Sequence, residues 1–227
     1  MSCGGWGDCA VPLDILAPTD AAGLPTVVLL HGGPDHFLFR RYLDRLAAET
    51  ARRGAVVFLA SYRSSATSNP VTDSVDDVTC AIRFARSVTE DYGGDPASVV
   101  LVGHSYGSEL ALMTAVSPET ETPDCLAEGD GRPEAAVGLA GFGAGLADLG
   151  AALGTAAAPG PPIFMAGGAD DLASVMGPGA LEALKAARID AELQEFPATS
   201  HDSSVDPAAS PATLDLIFKA IERARPD

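Results

Sequence analysis

Positive charge is scarce in this chain. Acidic residues number 31 against 14 lysines and arginines, giving a formal net charge of −17 and a pI near 4.4. Lys185 and Lys219 are the only lysines. A surface this acidic repels phosphate backbones and anionic lipid, so neither nucleic acid nor a membrane surface is an expected partner. The sequence also lacks any run of 18 apolar residues, so no transmembrane helix is expected. The opening residues, Met1-Ser2-Cys3-Gly4-Gly5-Trp6, have neither the basic region nor the apolar run of a signal peptide. A cytoplasmic protein and a mature secreted form both remain open. Cysteine is sparse: Cys3, Cys9, Cys80 and Cys125, with no C-x-x-C. That removes a zinc ribbon and a thioredoxin-like site. Two readings of the cysteines stay open: two disulfides, with Cys3–Cys9 and Cys80–Cys125 the simplest pairing, or four reduced thiols. His201-Asp202 and Pro34-Asp35-His36 are isolated pairs with no third ligand at sensible spacing, so no metal is expected. No repeat is visible, and the oligomeric state is not encoded in any pattern.

What is present is a globular composition. Hydrophobic residues make up 47% and charged residues 20% of 227, enough to build one core, so a single domain over 1–227 is expected. Short apolar runs alternate with longer helical patterns, the signature of a mostly parallel sheet covered by helices on both faces. Strands are expected at 26–30, 55–60, 98–102, 135–140, 162–166 and 190–196. Helices are expected at 38–53, 72–92, after residue 105 to about 116, and at 177–188 and 211–225. Residues 141–161 are mostly Gly and Ala and read as a small cap or lid segment.

Gly103-His104-Ser105-Tyr106-Gly107 joins an apolar strand run to a helix. A serine that must project its hydroxyl from the top of a sheet sits on a tight strand-to-helix turn. Side chains two residues either way would collide there, which explains both glycines. The following helix aims free N–H groups at the site, and that of Tyr106 can donate to a developing oxyanion. His31-Gly32-Gly33 ends an earlier strand and offers a second donor at Gly33, with Gly32 as the alternative. A serine nucleophile needs a base and an orienter. Of the four histidines, His104 faces away from the serine hydroxyl, and His31 and His36 precede the serine in the glycine loop. His201, on a loop after the last strand run, is the base by position and elimination. The acid is expected at the end of the strand near 162–166, where Asp170 fits best and Asp171 second. Asp148 and Asp190 lie away from strand ends.

Ser105, Asp170 and His201 in that order, with His31-Gly32-Gly33, resemble the α/β-hydrolase superfamily over about Val11 to Ile221. Tyr62-Arg63, Asp77-Val78 and Tyr92-Gly93-Gly94-Asp95-Pro96 add to the likeness, which is strongest to small carboxylesterases and to feruloyl-esterase-like and dienelactone-hydrolase-like members. Two departures stand out: Gly32-Gly33-Pro34 replaces a triple glycine, and Ser108 follows Gly107 where many relatives carry another glycine. The resemblance implies the α/β-hydrolase fold with a minimal cap and a cofactor-free serine esterase acting on a small-molecule ester. It places His31, Tyr62, Phe142 and Tyr106 at the substrate pocket. The sparse apolar content of 141–161 suggests a short acyl chain. Gly-Gly-Pro and Tyr62-Arg63-Ser64-Ser65 also resemble the prolyl oligopeptidase catalytic domain, so a peptidase or amidase is the alternative. A non-catalytic ligand-binding relative is a third reading.

Overall fold

Aliphatic runs too short for a helix settle into strands here. The computed structural model describes residues 11–19, 22–33, 37–63, 71–117, 125–141, 160–168, 172–196 and 199–225. Among the described residues seven strands form one sheet: β1 (Leu13–Leu16), β2 (Leu24–Leu30), β3 (Val56–Ala60), β4 (Gly94–His104), β5 (Ala135–Leu139), β6 (Ile163–Gly168) and β7 (Ala191–Phe196). Their order is β1-β3-β2-β4-β5-β6-β7. β1 pairs antiparallel with β3, and every other pairing is parallel.

Because side chains alternate across a strand, neighbouring residues serve opposite faces. Val27, Leu29, Val57, Leu59, Val100 and Val102 point to one face, where α1 (Asp44–Arg52) brings Leu46 and Ala47, and α5 (Pro211–Ala224) brings Ile217 and Ile221. Val28, Leu30, Phe58, Val99 and Leu101 point to the other, covered by Val78, Ile82 and Ala85 of α2 (Val71–Val88) and by Leu110 and Ala111 of α3 (Tyr106–Val116). On that same side α4 (Leu172–Ala186) sets Ala180 and Leu184 against Ile163 and Met165. Residues 107–108 and 110–116 of α3 are all buried, so this helix shows no polar face.

Four boundaries depart from the sequence pattern. Residues 37–43 form a 3-10 helix, and the α-helix proper begins only at Asp44. Arg40 in this segment is only 8% exposed, and Asp14 of β1 accepts from its Nε at 2.8 Å. β1 itself carried no strand signal, being four half-buried residues at the sheet edge. β4 starts at Gly94, since Gly94 and Asp95 pair with Leu24 and Pro25 before a register shift; the Gly-Gly-Asp-Pro run looks like a plain turn. α4 begins at Leu172, with Pro178 inside it, although Gly177-Pro178 resembles a helix start. Of the expected cap at 141–161, residues 142–159 lie outside the described residues.

Candidate active site

β2 and β4 are parallel neighbours, yet the chain leaves β2 towards β3 on one side and β4 towards β5 on the other. Loops at the carboxyl ends of such a pair diverge and open a crevice. His31-Gly32-Gly33 emerges from β2 at that point, and Ser105 emerges from β4.

Ser105 has φ +55° and ψ −122°, a conformation that costs a non-glycine residue about 1–3 kcal/mol. The turn is fixed by its N–H donating to the Leu139 carbonyl at 2.8 Å and by the Ser108 N–H donating to its carbonyl at 2.9 Å. A Cβ at Gly103 would lie 1.9 Å from the Gly107 carbonyl oxygen, and one at Gly107 would lie 2.4 Å from that of His31. Both obstacles are backbone, so neither position accepts a side chain. Ser108 is accommodated by a glycine opposite: a Cβ on Gly141 would sit 2.4 Å from the Ser108 Oγ.

His201 lies on the turn beyond β7, and its Nε2 is 2.9 Å from the Ser105 Oγ across 96 positions of sequence. Its carbonyl accepts from the Ser204 Oγ at 2.7 Å and from the His104 Nε2 at 3.0 Å. Asp170 and Asp171 lie outside the described residues. β6 ends two residues before Asp170, and a Cβ on Gly168 would be 1.8 Å from the Thr199 carbonyl oxygen. The end of β6 therefore abuts the segment that carries His201.

The glycine loop is held on both sides of Gly32. Its N–H donates to the Tyr42 hydroxyl at 2.6 Å, and its carbonyl accepts from the His31 Nδ1 at 2.8 Å. The first bond corrects one expectation: the Gly32 N–H is already committed and is not a free oxyanion donor. The second has a directional consequence. In a planar trans peptide the N–H points opposite to the C=O, so anchoring the Gly32 carbonyl on His31 turns the Gly33 N–H away from it. Gly33 has φ +75°, which a glycine adopts freely. A Cβ on Gly32 would fall 2.5 Å from the Ser105 Cβ, so loop and serine touch without intervening atoms. The Tyr106 N–H opens α3 and has no acceptor within the helix.

His31 and Tyr62 do not form an open pocket wall. They are 2% and 3% exposed, with rings stacked 4.6 Å apart. The Tyr62 hydroxyl donates to the His31 carbonyl. Burial, helped by the charge of Arg40, pulls His31 below the usual histidine range against its bond to Gly32. Burial likewise lifts the Tyr62 phenol well above the ordinary value. Tyr62 is itself held by its neighbour: the Arg63 guanidinium meets both oxygens of Asp77 at 2.8–3.0 Å, and the Arg63 N–H donates to Asp77 at 2.7 Å. Tyr106 stands beside Tyr62 at 6.0 Å between ring centroids. Phe142 lies outside the described residues.

Sequence reasoning set His104 aside and did not single out Tyr42. The Tyr42 hydroxyl is 2.6 Å from the His104 Nδ1 and bonds Gly32 as well. Contacts between residues 62 positions apart leave no periodic trace; the only available signal was a histidine at the variable position of the elbow. Cys80 and Cys125 form a disulfide with Cα atoms 5.5 Å apart; Cys3 and Cys9 lie outside the described residues. Among the described residues no group of three or more His, Cys, Asp or Glu could hold a metal, and no helix is long and apolar enough to cross a membrane.

The BD-FAE family model matches residues 13–148, more than half of the chain. A probable isoprenylcysteine alpha-carbonyl methylesterase of Oryza sativa subsp. japonica is 34% identical over 103 residues, covering 45% of this chain and 24% of that protein. The chain thus spans about a quarter of the length of the curated relatives it matches. Among solved structures, the apo form of Thermogutta terrifontis esterase 2 aligns with a TM-score of 0.76 at 25% identity, covering 96% of this chain and 92% of that one. A butyrate-bound form of the same esterase aligns at 0.74 and 25% identity, covering 92% and 87%. The architecture is the α/β-hydrolase fold.

Proposed function

This chain belongs to the BD-FAE family, and on that premise we propose that it is a serine carboxylic ester hydrolase acting on short-acyl esters. The observation that carries the reading is the 2.9 Å contact between the Ser105 Oγ and the His201 Nε2 at the mouth of the β2/β4 crevice. Ser105 attacks the ester carbonyl while His201 takes its proton, since a serine hydroxyl is a weak nucleophile without an adjacent base. The N–H groups of Gly33 and Tyr106 receive the developing oxyanion. His201 returns the proton to the leaving alcohol, and a water activated by the same imidazole then cleaves the acyl-enzyme. Asp170 holds the His201 tautomer. This role is supported by the contact of Gly168, two residues before Asp170 in sequence, with Thr199, two residues before His201; a reach of two residues is about 7 Å. The butyrate held by the Thermogutta terrifontis esterase supports a short acyl group.

The test is a p-nitrophenyl ester series from acetate to decanoate, with aminoacyl amides alongside, on the wild type and Ser105→Ala. The expected profile peaks between acetate and butyrate and falls by octanoate. Ser105→Ala loses about 10⁵-fold or more in kcat with its fold intact, by analogy with other triad knockouts. More than a tenth of the activity left in Ser105→Ala overturns the mechanism. Faster turnover of amides than of esters moves the assignment to a peptidase, and a rising profile to decanoate overturns the short-acyl assignment.

A further inference from the structure

We infer that Tyr42 and His104 are positioning residues that tie the peptide of Gly32 to the peptide of His201 in one directed hydrogen-bond chain, so that the oxyanion loop and the base are set in place together. This rests on the esterase reading of the site. Each link has one possible direction. The Gly32 N–H can only donate, so the Tyr42 oxygen accepts it at 2.6 Å. The His201 carbonyl can only accept, so the His104 Nε2 carries the hydrogen at 3.0 Å. In a neutral imidazole the other nitrogen is then a bare acceptor, and the Tyr42 hydroxyl donates its proton to the His104 Nδ1 at 2.6 Å. The partners thereby assign the tautomer.

The chain begins beside one half of the chemistry and ends beside the other. At its start, the Gly32 backbone lies against Ser105, with no room for a Cβ, and the next peptide carries the Gly33 N–H. At its end, the His201 carbonyl also receives the Ser204 hydroxyl at 2.7 Å, so both acceptor directions of that oxygen are occupied. Ser204 is in turn fixed by Thr213 of α5, which donates to its carbonyl. His104 occupies the elbow position next to Ser105, and its ring lies 4.8 Å from that of His201. Tyr42 is 39% exposed over the whole residue, but its hydroxyl end is enclosed. Burial there pushes the phenol up, against the pull of the Gly32 bond, so it keeps its proton. Neither residue touches the reacting atoms. Their effect is on where the donor and the base stand when charge develops, and such misplacement lowers kcat rather than raising KM.

Tyr42→Phe removes the hydroxyl and keeps the ring. It is expected to lose about 10- to 100-fold in kcat on p-nitrophenyl acetate, a loss of about 1.4–2.7 kcal/mol in barrier terms. KM should stay within twofold and the melting temperature should change little. His104→Ala is expected to lose a similar factor. His104→Gln, which retains an N–H donor at the reach of Nε2, should recover most of it. In Tyr42→Phe/His104→Ala the losses should overlap, the double variant falling no more than about twofold below the worse single, because groups in one chain are not additive. A phenylboronic acid, which loads the oxyanion donors, should bind Tyr42→Phe more weakly in proportion to kcat. The proposal is overturned if folded Tyr42→Phe keeps its kcat, if the loss lies in KM alone, or if the two losses multiply. His104→Ala failing to fold leaves the Tyr42→Phe and His104→Gln arms to decide. Ser105→Ala separates the two levels: activity surviving in it overturns the esterase reading itself, whereas an inactive Ser105→Ala beside an unaffected Tyr42→Phe overturns only the positioning chain.

Discussion

The carboxyl end of the sheet and its amino end are built in opposite ways. At the carboxyl end Ser105 is held at φ +55°, and the buried His31 Nε2, Tyr106 hydroxyl and Ser108 Oγ have no hydrogen-bond partner among the described residues. Each such group costs about 1–3 kcal/mol. At the amino end polar groups are paired closely. Arg86 donates to the carbonyls of Asp130, Pro96 and Arg132 and to the Glu134 carboxylate, whose other oxygen accepts from the Val99 N–H at 2.7 Å. Thr26 and Thr89 share a hydrogen bond of 2.7 Å between hydroxyls, and the Cys80–Cys125 disulfide ties α2 to the 125–134 segment. The nucleophile's strained turn lies where chemistry is proposed and the cross-links lie where none is, although the buried Ser98 Oγ beside Val99 also has no partner among the described residues and Arg188 before β7 has φ +63°. The contrast predicts that perturbations at the two ends separate: changes at the carboxyl end alter rate, and changes at the amino end alter stability.

The largest expected effect tests the half of the site that only proximity supports. Asp170→Asn leaves the imidazole without the charge that fixes its tautomer, a loss of about 10⁴-fold in kcat in a well-studied triad. Asp171→Asn should stay within a few-fold of wild type. Melting curves of both should match the wild type. Steady-state kinetics with the reverse pattern would transfer the role to Asp171; two mild losses would remove the acid from this segment altogether.

Next comes the amino end. Cys80 and Cys125 are separated by 45 positions, and closing a loop of that size stabilises by about 4 kcal/mol in the chain-entropy model. The Cys80→Ser/Cys125→Ser protein should therefore melt on the order of 10 °C lower while kcat/KM at 25 °C stays within twofold. A rate loss without a stability loss would erase the distinction between the two ends. Non-reducing alkylation and intact mass check the cross-link directly.

How much of this was legible beforehand follows the same division of local from distant causes. The β2, β3, β5 and β6 runs were visible because each is a short, mostly apolar stretch between turn residues, and β7 as the mixed run Ala191–Phe196 before the loop of His201. The elbow was visible because Gly103 and Gly107 answer a collision within five consecutive residues, and His31-Gly32-Gly33 because it ends a strand. β1 was hidden by its half-burial at an edge, and the first residues of β4 by glycine and proline that pair with Leu24 and Pro25 across 70 positions. Tyr42 falls inside the helix expected at 38–53 with nothing local to mark it; its hydroxyl matters only because folding brings Gly32 and His104 to it. The stacking of His31 on Tyr62 likewise depends on β2 and β3 being neighbours, so both looked like pocket residues when they brace the loop from below.

A smaller effect isolates the strain itself. Ser105→Ala and Ser105→Gly both remove the nucleophile, but only glycine adopts φ +55° freely. Relief of about 1–3 kcal/mol is offset by roughly 0.5–1 kcal/mol of extra chain entropy in the unfolded state. Ser105→Gly should then melt about 2–4 °C above Ser105→Ala. Ser105→Gly melting below Ser105→Ala by calorimetry, as the entropy term alone would give, would mean that the turn is not strained.

The smallest effect concerns the brace beneath the loop, and its sign is fixed by His31. Burial, with the nearby charge of Arg40, holds the His31 ring below the ordinary histidine value, although its bond to Gly32 acts the other way. An unfolded chain takes up that proton near pH 6.5, while the folded protein excludes it until lower pH. Where the unfolded state binds more protons, stability falls as pH falls. His31 therefore leaves stability unchanged above about pH 6.5 and weakens the fold progressively as pH drops from there towards its folded value. His31→Asn keeps a donor near the position of Nδ1 for the Gly32 carbonyl and deletes the titration. The wild type should be the more stable at pH 8, by an amount that shrinks as the pH is lowered through 6 to 5 in matched denaturant melts. A gap that widens on acidification would mean that His31 is stabilised by its proton. The Gly32 carbonyl would then be held by a charged ring, and the neutral, burial-dominated brace proposed for the glycine loop would be wrong.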